Sequence, residues 1–404
     1  MEQLNIVLTV VGGTVLLFGM FSRVINRSLV TIPMLAFFTG IILGPLGIDV
    51  LDPESWGDTN KILMESARIT LGISLMAIAL RIPKNYLFTQ RRSLTIILGI
   101  GMPCMFLISS ALAHWMFGVP FILAMLIGAT ISPTDPVVAS SIVTGGLAKA
   151  HLPEQVRNGL SAESALNDGL AYPFAIFPLL FLDSTLKQPL FTGVIKVVGW
   201  EVGGGVLLGI LLGWGTGKAL LMAEKKKSLD HSAFLATTLA LTLAILGLAE
   251  LCNTNSVLAV FIGGVAFSKL VKGSERAKEN KIQETVNLFF TLPIFILFGL
   301  MLPVEKWVEL GGVCIAFIIT IFLLRRIPVI LTIYRLTSLW KGWKTALLCG
   351  HFGPMGISAL FYSMLVVERG GYEIIWTVGS LVVAASIIIH GISVTPIVRH
   401  WQKT

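Results

Sequence analysis

The chain has 404 residues, 55% of them hydrophobic and only 13% charged, with a mean hydropathy of +0.85. A soluble domain carries about 25% charged residues, so this composition excludes a single water-soluble core and calls for a chain that crosses a membrane many times. The net charge of +8 is scattered over short loops rather than gathered on one soluble face, which excludes nucleic-acid binding.

The apolar runs are continuous over ~20 residues, whereas the strands of membrane barrels alternate over ~10, so the spans are helices. Thirteen are predicted, near residues 5–22, 29–47, 61–81, 93–117, 120–146, 158–182, 191–222, 232–250, 255–271, 286–303, 309–334, 345–366 and 375–398. The start, "MEQLN", has no basic region and no cleavage pattern follows, so the first span is expected to be retained. The loops are short, and no soluble regulatory domain is expected. Lys and Arg set the orientation. With the N-terminus outside, the inside loops gather groups such as Arg81, Lys84, Arg91 and Arg92, or Lys225, Lys226 and Lys227, while the outside receives the acidic loop "DVLDPESWGD". The C-terminus is then cytoplasmic. Four widely spaced cysteines, Cys104, Cys252, Cys314 and Cys349, have no metal or redox spacing and read as packing residues.

Two internal echoes organise the chain. "LAFFTGIILG" (Leu35–Gly44) in the second span resembles "LAVFIGGVAF" (Leu258–Phe267) in the ninth. The fifth span is interrupted by "SPTDP" (Ser132–Pro136), the twelfth by "GHFGPMG" (Gly350–Gly356). Both pairs are seven helices apart, and an odd offset turns the second copy upside down. Paired broken helices in an inverted repeat mark the binding site of secondary transporters.

An ionisable side chain at mid-bilayer costs several kcal/mol, roughly 2.5–3.5 on insertion scales, so each is a functional candidate. Here these are Asp135, Glu163, Asp168, Arg68, Arg325 and Arg326. Lys218 is near a helix end and can reach water. Arg68 is left open between a buried partner and an interfacial position. Asp135 stands between Pro133 and Pro136, which remove backbone donors and break the helix. The freed carbonyls can coordinate a cation, and Asp135 or Thr134 can satisfy the half-helix termini.

In "SAESALNDG", Ser164 and Asp168 are four apart and share a helix face, as do Glu163 and Asn167 on a neighbouring one. At ~100° per residue, Glu163 and Asp168 point about 140° apart and do not form one carboxylate pair. Asp168 with Ser164 suits a small dehydrated cation, because hard cations take oxygen ligands. Glu163 needs its own compensation, and Arg325 or Arg326 in "FLLRRIPVI" is the natural partner. His351 and His390 read as hydrogen-bonded packing residues rather than proton carriers.

At these residues the chain resembles the cation/proton antiporter-1 family, the sodium/proton exchangers. "SPTDPVVAS" is similar to the family's unwound crossover and "SAESALNDG" to its carboxylate helix, while "NSVLAVFIGGVAFSK" and "SIIIHGISVTP" resemble its ninth and last helices. The resemblance implies an all-α fold of about thirteen membrane helices, an inverted repeat with two crossed discontinuous helices (the fifth and twelfth), and a homodimer. It implies core helices about 61–182 and 286–398 and dimerisation helices about 1–47 and 191–271. It implies exchange of Na+ (or Li+, K+) for H+ in the cell membrane, with no cofactor beyond the transported ions. By position, Asp168 is the carboxylate that binds cation and proton in turn, with Ser164 and Thr134 as further cation ligands. Asp135 balances the crossover, Asn167 is the Asn of the Asn-Asp pair, and Glu163 pairs with Arg326, or alternatively Arg325. The chain departs from the common pattern at Met355, where many members carry arginine, and in "LMAIAL", which lacks an acidic residue some members use. With "NDGLAYPF", this resembles the fungal-type branch; the long cytoplasmic regulatory tail of many eukaryotic members is not expected, and the chain resembles a prokaryotic-type transporter.

Two other classes fit parts of this pattern. An intramembrane aspartyl protease using Asp135 and Asp168 would need both carboxylates on one water. A cation channel would need a ring of repeated filter residues, and the sequence has none.

Overall fold

The computed structural model describes residues 2–21, 25, 28–135, 137–138, 143, 146–182, 190–226, 233–271 and 273–401, the side chains of 2, 190, 233–235 and 273–285 excepted. Pro136, Lys227 and part of the expected fifth span lie outside the described residues.

Among the described residues every regular element is a helix. In chain order the main helices are α1 (Glu2–Met20), α2 (Ile32–Leu43), α3 (Thr59–Arg81), α4 (Arg91–Phe117), α5 (Phe121–Ile131), α6 (Glu154–Leu182), α7 (Phe191–Lys225) and α8 (Ala233–Leu251). They continue with α9 (Ser256–Leu270), α10 (Gly273–Leu300), α11 (Val313–Leu324), α12 (Ile327–Ile333), α13 (Trp343–His351), α14 (Ile357–Gly370) and α15 (Glu373–His400). Among the described residues seven helices are long and apolar enough to cross a membrane, or eight if a pair bent by 57° counts as one span.

The distribution of polarity is that of a membrane protein. Leu8, Leu16, Leu107, Leu211, Ile315 and Leu323 are exposed on the outside, while Asp135, Glu163, Asn167, Asp168, Arg325 and Arg326 are buried within. In water the first set would be an aggregation surface; in lipid it is the contact surface.

Helix ends follow local chemistry. Asp58 caps α3 by accepting from the Lys61 backbone N–H at 3.2 Å. α5 stops at Ile131, two residues before Pro133. The expected eleventh span is not continuous. Gly311 and Gly312 precede α11, and Arg325–Arg326 separates α11 from α12, because Pro328 cannot donate to the Leu324 carbonyl.

α7 and α9 pack closely. Gly205, Gly209, Gly213 and Gly217 recur every four residues on one buried stripe of α7. A Cβ on Gly213 would collide with the backbone carbonyl of Gly263 in α9, so the two backbones touch directly. Without a hydrophobic force between helices in lipid, such small-residue seams are a principal source of association.

α6 carries Pro173 and Pro178 inside it. Pro173 has no N–H to give the Gly169 carbonyl four residues back. Asn255, the N-cap of α9, fills that vacancy, its Nδ2 donating to Gly169 O at 2.7 Å while its Oδ1 accepts from Leu258 N–H at 3.0 Å. The helix carrying Asp168 is thus tied to α9 one residue beyond it.

Candidate functional site

Two helix breaks meet at the centre. The first, Ser132–Asp135, follows α5; the second, Phe352–Gly356, separates α13 from α14. They are joined by backbone: Asp135 N–H donates to Pro354 O at 2.7 Å. The Asp135 carboxylate then serves both sides, Oδ1 accepting from Val137 N–H at 2.6 Å and Oδ2 accepting from Ile357 N–H, the first residue of α14. A carboxylate at a helix N-terminus is the favourable placement for the helix dipole. The approach requires Gly356, where any Cβ would overlap Asp135 Oδ2.

The opposite sign sits at the opposite ends. Arg325 Nη1 donates to Ile131 O at 2.5 Å and Ser132 O at 3.2 Å, at the C-terminus of α5. Its Nη2 donates to Gly353 O at 2.5 Å in the other break. Arg326 Nε donates to Cys349 O at 3.0 Å in the last turn of α13. Each half-helix C-terminus therefore meets a guanidinium, which satisfies carbonyls that have no partner further along the chain.

Arg326 is also the partner of Glu163. Nη1 reaches Oε1 at 2.7 Å and Nη2 reaches Oε2 at 2.9 Å, a two-pronged pair with both side chains buried. Of the two candidate arginines the structure selects Arg326 and gives Arg325 the separate task of joining the breaks.

From Glu163 a polar chain runs toward the first break. Asn167 Nδ2 donates to Glu163 Oε1 at 3.1 Å and to Thr134 Oγ1 at 2.7 Å, and Asn167 Oδ1 accepts from Thr134 N–H at 3.1 Å. Ser164 Oγ donates to Thr134 O. Asn167 thus spends its amide group on Glu163 and Thr134, while its Oδ1 accepts the one bond from Thr134 N–H and keeps a second lone pair. Hydrogen bonds thus join Ser164 and Asn167 of α6 to Thr134 of the first break.

Asp168 differs from all of these. It is fully buried, and neither carboxylate oxygen makes a hydrogen bond of good geometry, although the Ser358 hydroxyl of α14 lies within interaction range. Its neighbours on α14 include Tyr362, whose hydroxyl donates to Asp168 O at 2.5 Å. One turn earlier on the same face of α14, the buried Ser358 hydroxyl likewise makes no hydrogen bond of good geometry. A carboxylate in this setting is expensive unless something occupies it, whether a proton or a cation.

Tyr362, Ser358 and Asn255 were not singled out from the sequence. Pro173 carried a signal for Asn255, since a proline inside a helix demands a donor from elsewhere; nothing in the sequence marked Tyr362. His351 and His390 lie behind the second break. His351 Nε2 is 3.0 Å from Ser393 Oγ, and His390 Nε2 is 3.0 Å from His351 O, so both are held in hydrogen bonds. Arg68 is half-buried, its Nη2 2.5 Å from Glu65 Oε2 and its Nη1 3.3 Å from Glu250 Oε1. Among the described residues no group of three His, Cys, Asp or Glu could hold a metal ion, and the four cysteines are free.

The fold and this site define a polytopic helical membrane protein of the transporter class. Residues 11–400 match the model of the family described as sodium/hydrogen exchanger, transmembrane. The chain belongs to the sodium/hydrogen exchanger family. It is 31% identical to a Na+/H+ antiporter of Schizosaccharomyces pombe, over 100% of this chain and 92% of that protein. It is 30% identical to Na+/H+ antiporter 2 of Zygosaccharomyces rouxii over 90% of this chain, and spans about half, 49%, of that longer relative. Its fold is similar to that of the sodium proton antiporter MjNhaP1 of Methanocaldococcus jannaschii, with a TM-score of 0.72, 18% identity, and 97% and 94% of the two chains covered.

Proposed function

We propose that the chain is a secondary antiporter that exchanges Na+ for H+ across the cell membrane, with cation and proton competing for Asp168. The observation that carries this reading is the Asp168 carboxylate, fully buried beside two joined helix breaks with neither oxygen in a hydrogen bond of good geometry. The names of the two fungal relatives support it.

The physics of exchange follows from one group with two exclusive partners. Burial penalises the bare carboxylate, so it holds either a proton or a cation. Either one neutralises the site, and a neutral site can cross the barrier. An empty, charged one cannot. Ser164 and Thr134 supply further oxygens to the cation, Li+ or K+ in place of Na+ included. Asn167 holds Thr134 in place. Asp135 and Arg325 balance the ends of the half-helices, and Glu163 with Arg326 braces the helices around them. In this reading the fifth and twelfth of thirteen spans are the crossed discontinuous helices of an inverted repeat. Residues about 61–182 and 286–398 are the moving core, and about 1–47 and 191–271 the scaffold through which two copies form a dimer. The N-terminus is outside, the C-terminus cytoplasmic.

The protease reading is less well supported. Both oxygens of Asp135 already accept from backbone N–H groups at the breaks, which favours a charge-balancing role for it over activating a water with Asp168. The deciding experiment uses proteoliposomes with a preset pH gradient. Adding Na+ should drive proton movement in the opposite direction. Cation flux without proton counter-movement would make the protein a channel and end the antiport reading.

A further inference from the structure

A polar cavity, of about 270 Å³, opens at the end of the molecule where α3 begins after the acidic loop. It lies between the expected core helices α3, α6 and α14 and the expected scaffold helices α7, α8 and α9. Tyr172 lines it, four residues past Asp168 on the same face of α6. Phe361 and Leu365 of α14 line it too, beside the Tyr362 that holds Asp168 O. Its wall also includes Asn255, whose side chain binds Gly169 O. The cavity is therefore about one helical turn from the candidate carboxylate.

Its charges are three carboxylates, Glu65, Glu201 and Glu250, and three cations, Arg68, Lys196 and Arg369. They are not equally engaged. Arg68 is shared between Glu65 and Glu250, at 2.5 and 3.3 Å. Arg369 Nη1 donates to Tyr172 OH at 3.3 Å. Glu201 is held more loosely. Only 7% of it is exposed, its Oε2 makes no hydrogen bond of good geometry although the Tyr172 hydroxyl lies within interaction range, and its Oε1 faces Lys196 Nζ at 3.8 Å. Lys196 is 63% exposed, so it holds that oxygen weakly. Glu201 also sits in a π-helical turn, Lys196–Val202, a distortion frequent at functional sites. Its backbone carbonyl accepts from Asn255 N–H at 2.8 Å, which joins it to the residue that holds the Asp168 helix.

We propose that Glu201 is a portal site for the transported monovalent cation, which binds there by displacing Lys196 before it passes Tyr172 to Asp168, or after it leaves. The inference rests on the exchange reading above. The balanced charge of the cavity makes the site weak, as a waiting position must be if the ion is to move on. Lys196 is the tethered stand-in: its ammonium occupies one side of the carboxylate and retreats to solvent when a cation arrives.

The test is exchange in proteoliposomes with Na+ presented to one face at a time, at constant ionic strength kept with choline. Wild type must first show Na+-driven proton movement; without it the exchange reading itself falls, and the portal with it. With exchange present, Glu201→Gln should raise the apparent KM for Na+ severalfold on the cavity face and leave the KM on the opposite face in place. Lys196→Gln should lower the cavity-face KM, because the competing ammonium is gone. Unchanged KM in both variants, or equal shifts on both faces, would overturn the portal and leave antiport standing. If Glu201→Gln does not fold, the solvent-exposed Lys196→Gln decides alone, and a cavity-face KM that does not fall overturns the proposal.

Discussion

Arg326 and Glu163 face each other in a two-pronged ion pair at 2.7 and 2.9 Å, both buried inside the protein. Breaking such a pair strands a charge, at a typical cost of ~3–5 kcal/mol, whereas removing both partners costs less. Glu163→Gln is therefore expected to lower the melting temperature in detergent clearly. Glu163→Gln combined with Arg326→Gln should recover part of that loss, leaving Cys349 O as the group still short of a donor. A double variant no more stable than the worse single one would show that the two residues are not coupled.

Asp168→Asn should act in the reverse sense on stability. The native carboxylate has no hydrogen bond of good geometry to lose. A neutral amide of the same shape removes a buried charge, so the melting temperature should hold or rise while cation–proton exchange disappears. Thermal unfolding and proteoliposome transport on the same preparation check both halves. Exchange at the wild-type rate would take Asp168 out of the mechanism.

Arg325 donates to three carbonyls in two separate breaks. Hydrogen bonds from a charged donor are worth ~1.5–3 kcal/mol each, and the orphaned carbonyls add their own penalty. Arg325→Met should destabilise severely. Arg325→Lys should rescue only part, since one ammonium on a flexible stem cannot span both breaks with the geometry of a planar fork. Equal stability of the Lys variant and wild type, measured by unfolding in detergent, would contradict the bridging role.

The glycine seam offers a matched pair of substitutions. Gly213→Ala puts a methyl into the Gly263 carbonyl, and overpacking of this kind costs ~1–3 kcal/mol. Gly215→Ala, two residues along the same helix, meets nothing within 4 Å. There the gain in helix propensity, roughly 0.5–1 kcal/mol, should be neutral or stabilising. Similar melting temperatures for the two would argue against direct backbone contact between α7 and α9.

Stoichiometry is the last expectation. Glu163 is committed to Arg326 and Asp135 to two backbone N–H groups, so among the described residues Asp168 is the carboxylate of the site without such a partner. One proton for one monovalent cation moves no net charge. Voltage acts at ~2.3 kcal/mol per elementary charge per 100 mV, so an electroneutral exchanger should reach the same end point with the membrane clamped at zero or inside-negative. A voltage-dependent end point would call for a second titrating group, with Glu163 the first to test.

The sequence made the breaks legible because proline and glycine act locally: Pro133 and Pro354 remove donors wherever they stand. The polar faces of α6 were legible for the same kind of reason, since a period of 3.6 places Ser164 with Asp168 and Glu163 with Asn167 in any helix. The choice between Arg325 and Arg326 was not. Neighbours on a helix diverge by ~100°, and here the helix itself breaks between α11 and α12, so only the three-dimensional path decides which guanidinium faces α6. Arg68 was undecided because its second partner, Glu250, sits on a helix far along the chain. Spacing placed Asn167 on the face of Glu163, but it could not show that the amide reaches Thr134 in the first break.

The arginine that touches both breaks has a mechanical consequence. Arg325 holds the end of α5 with one nitrogen and the turn before α14 with another. Two unwound segments that could each have been a joint are pinned by one rivet, and Asp135 adds a second pin from the other strand of the crossing. A crossing fastened at two points cannot scissor. Any displacement of one half-helix must carry its counterpart along as a single lever, and the place where such a lever can slide is along its outer flanks.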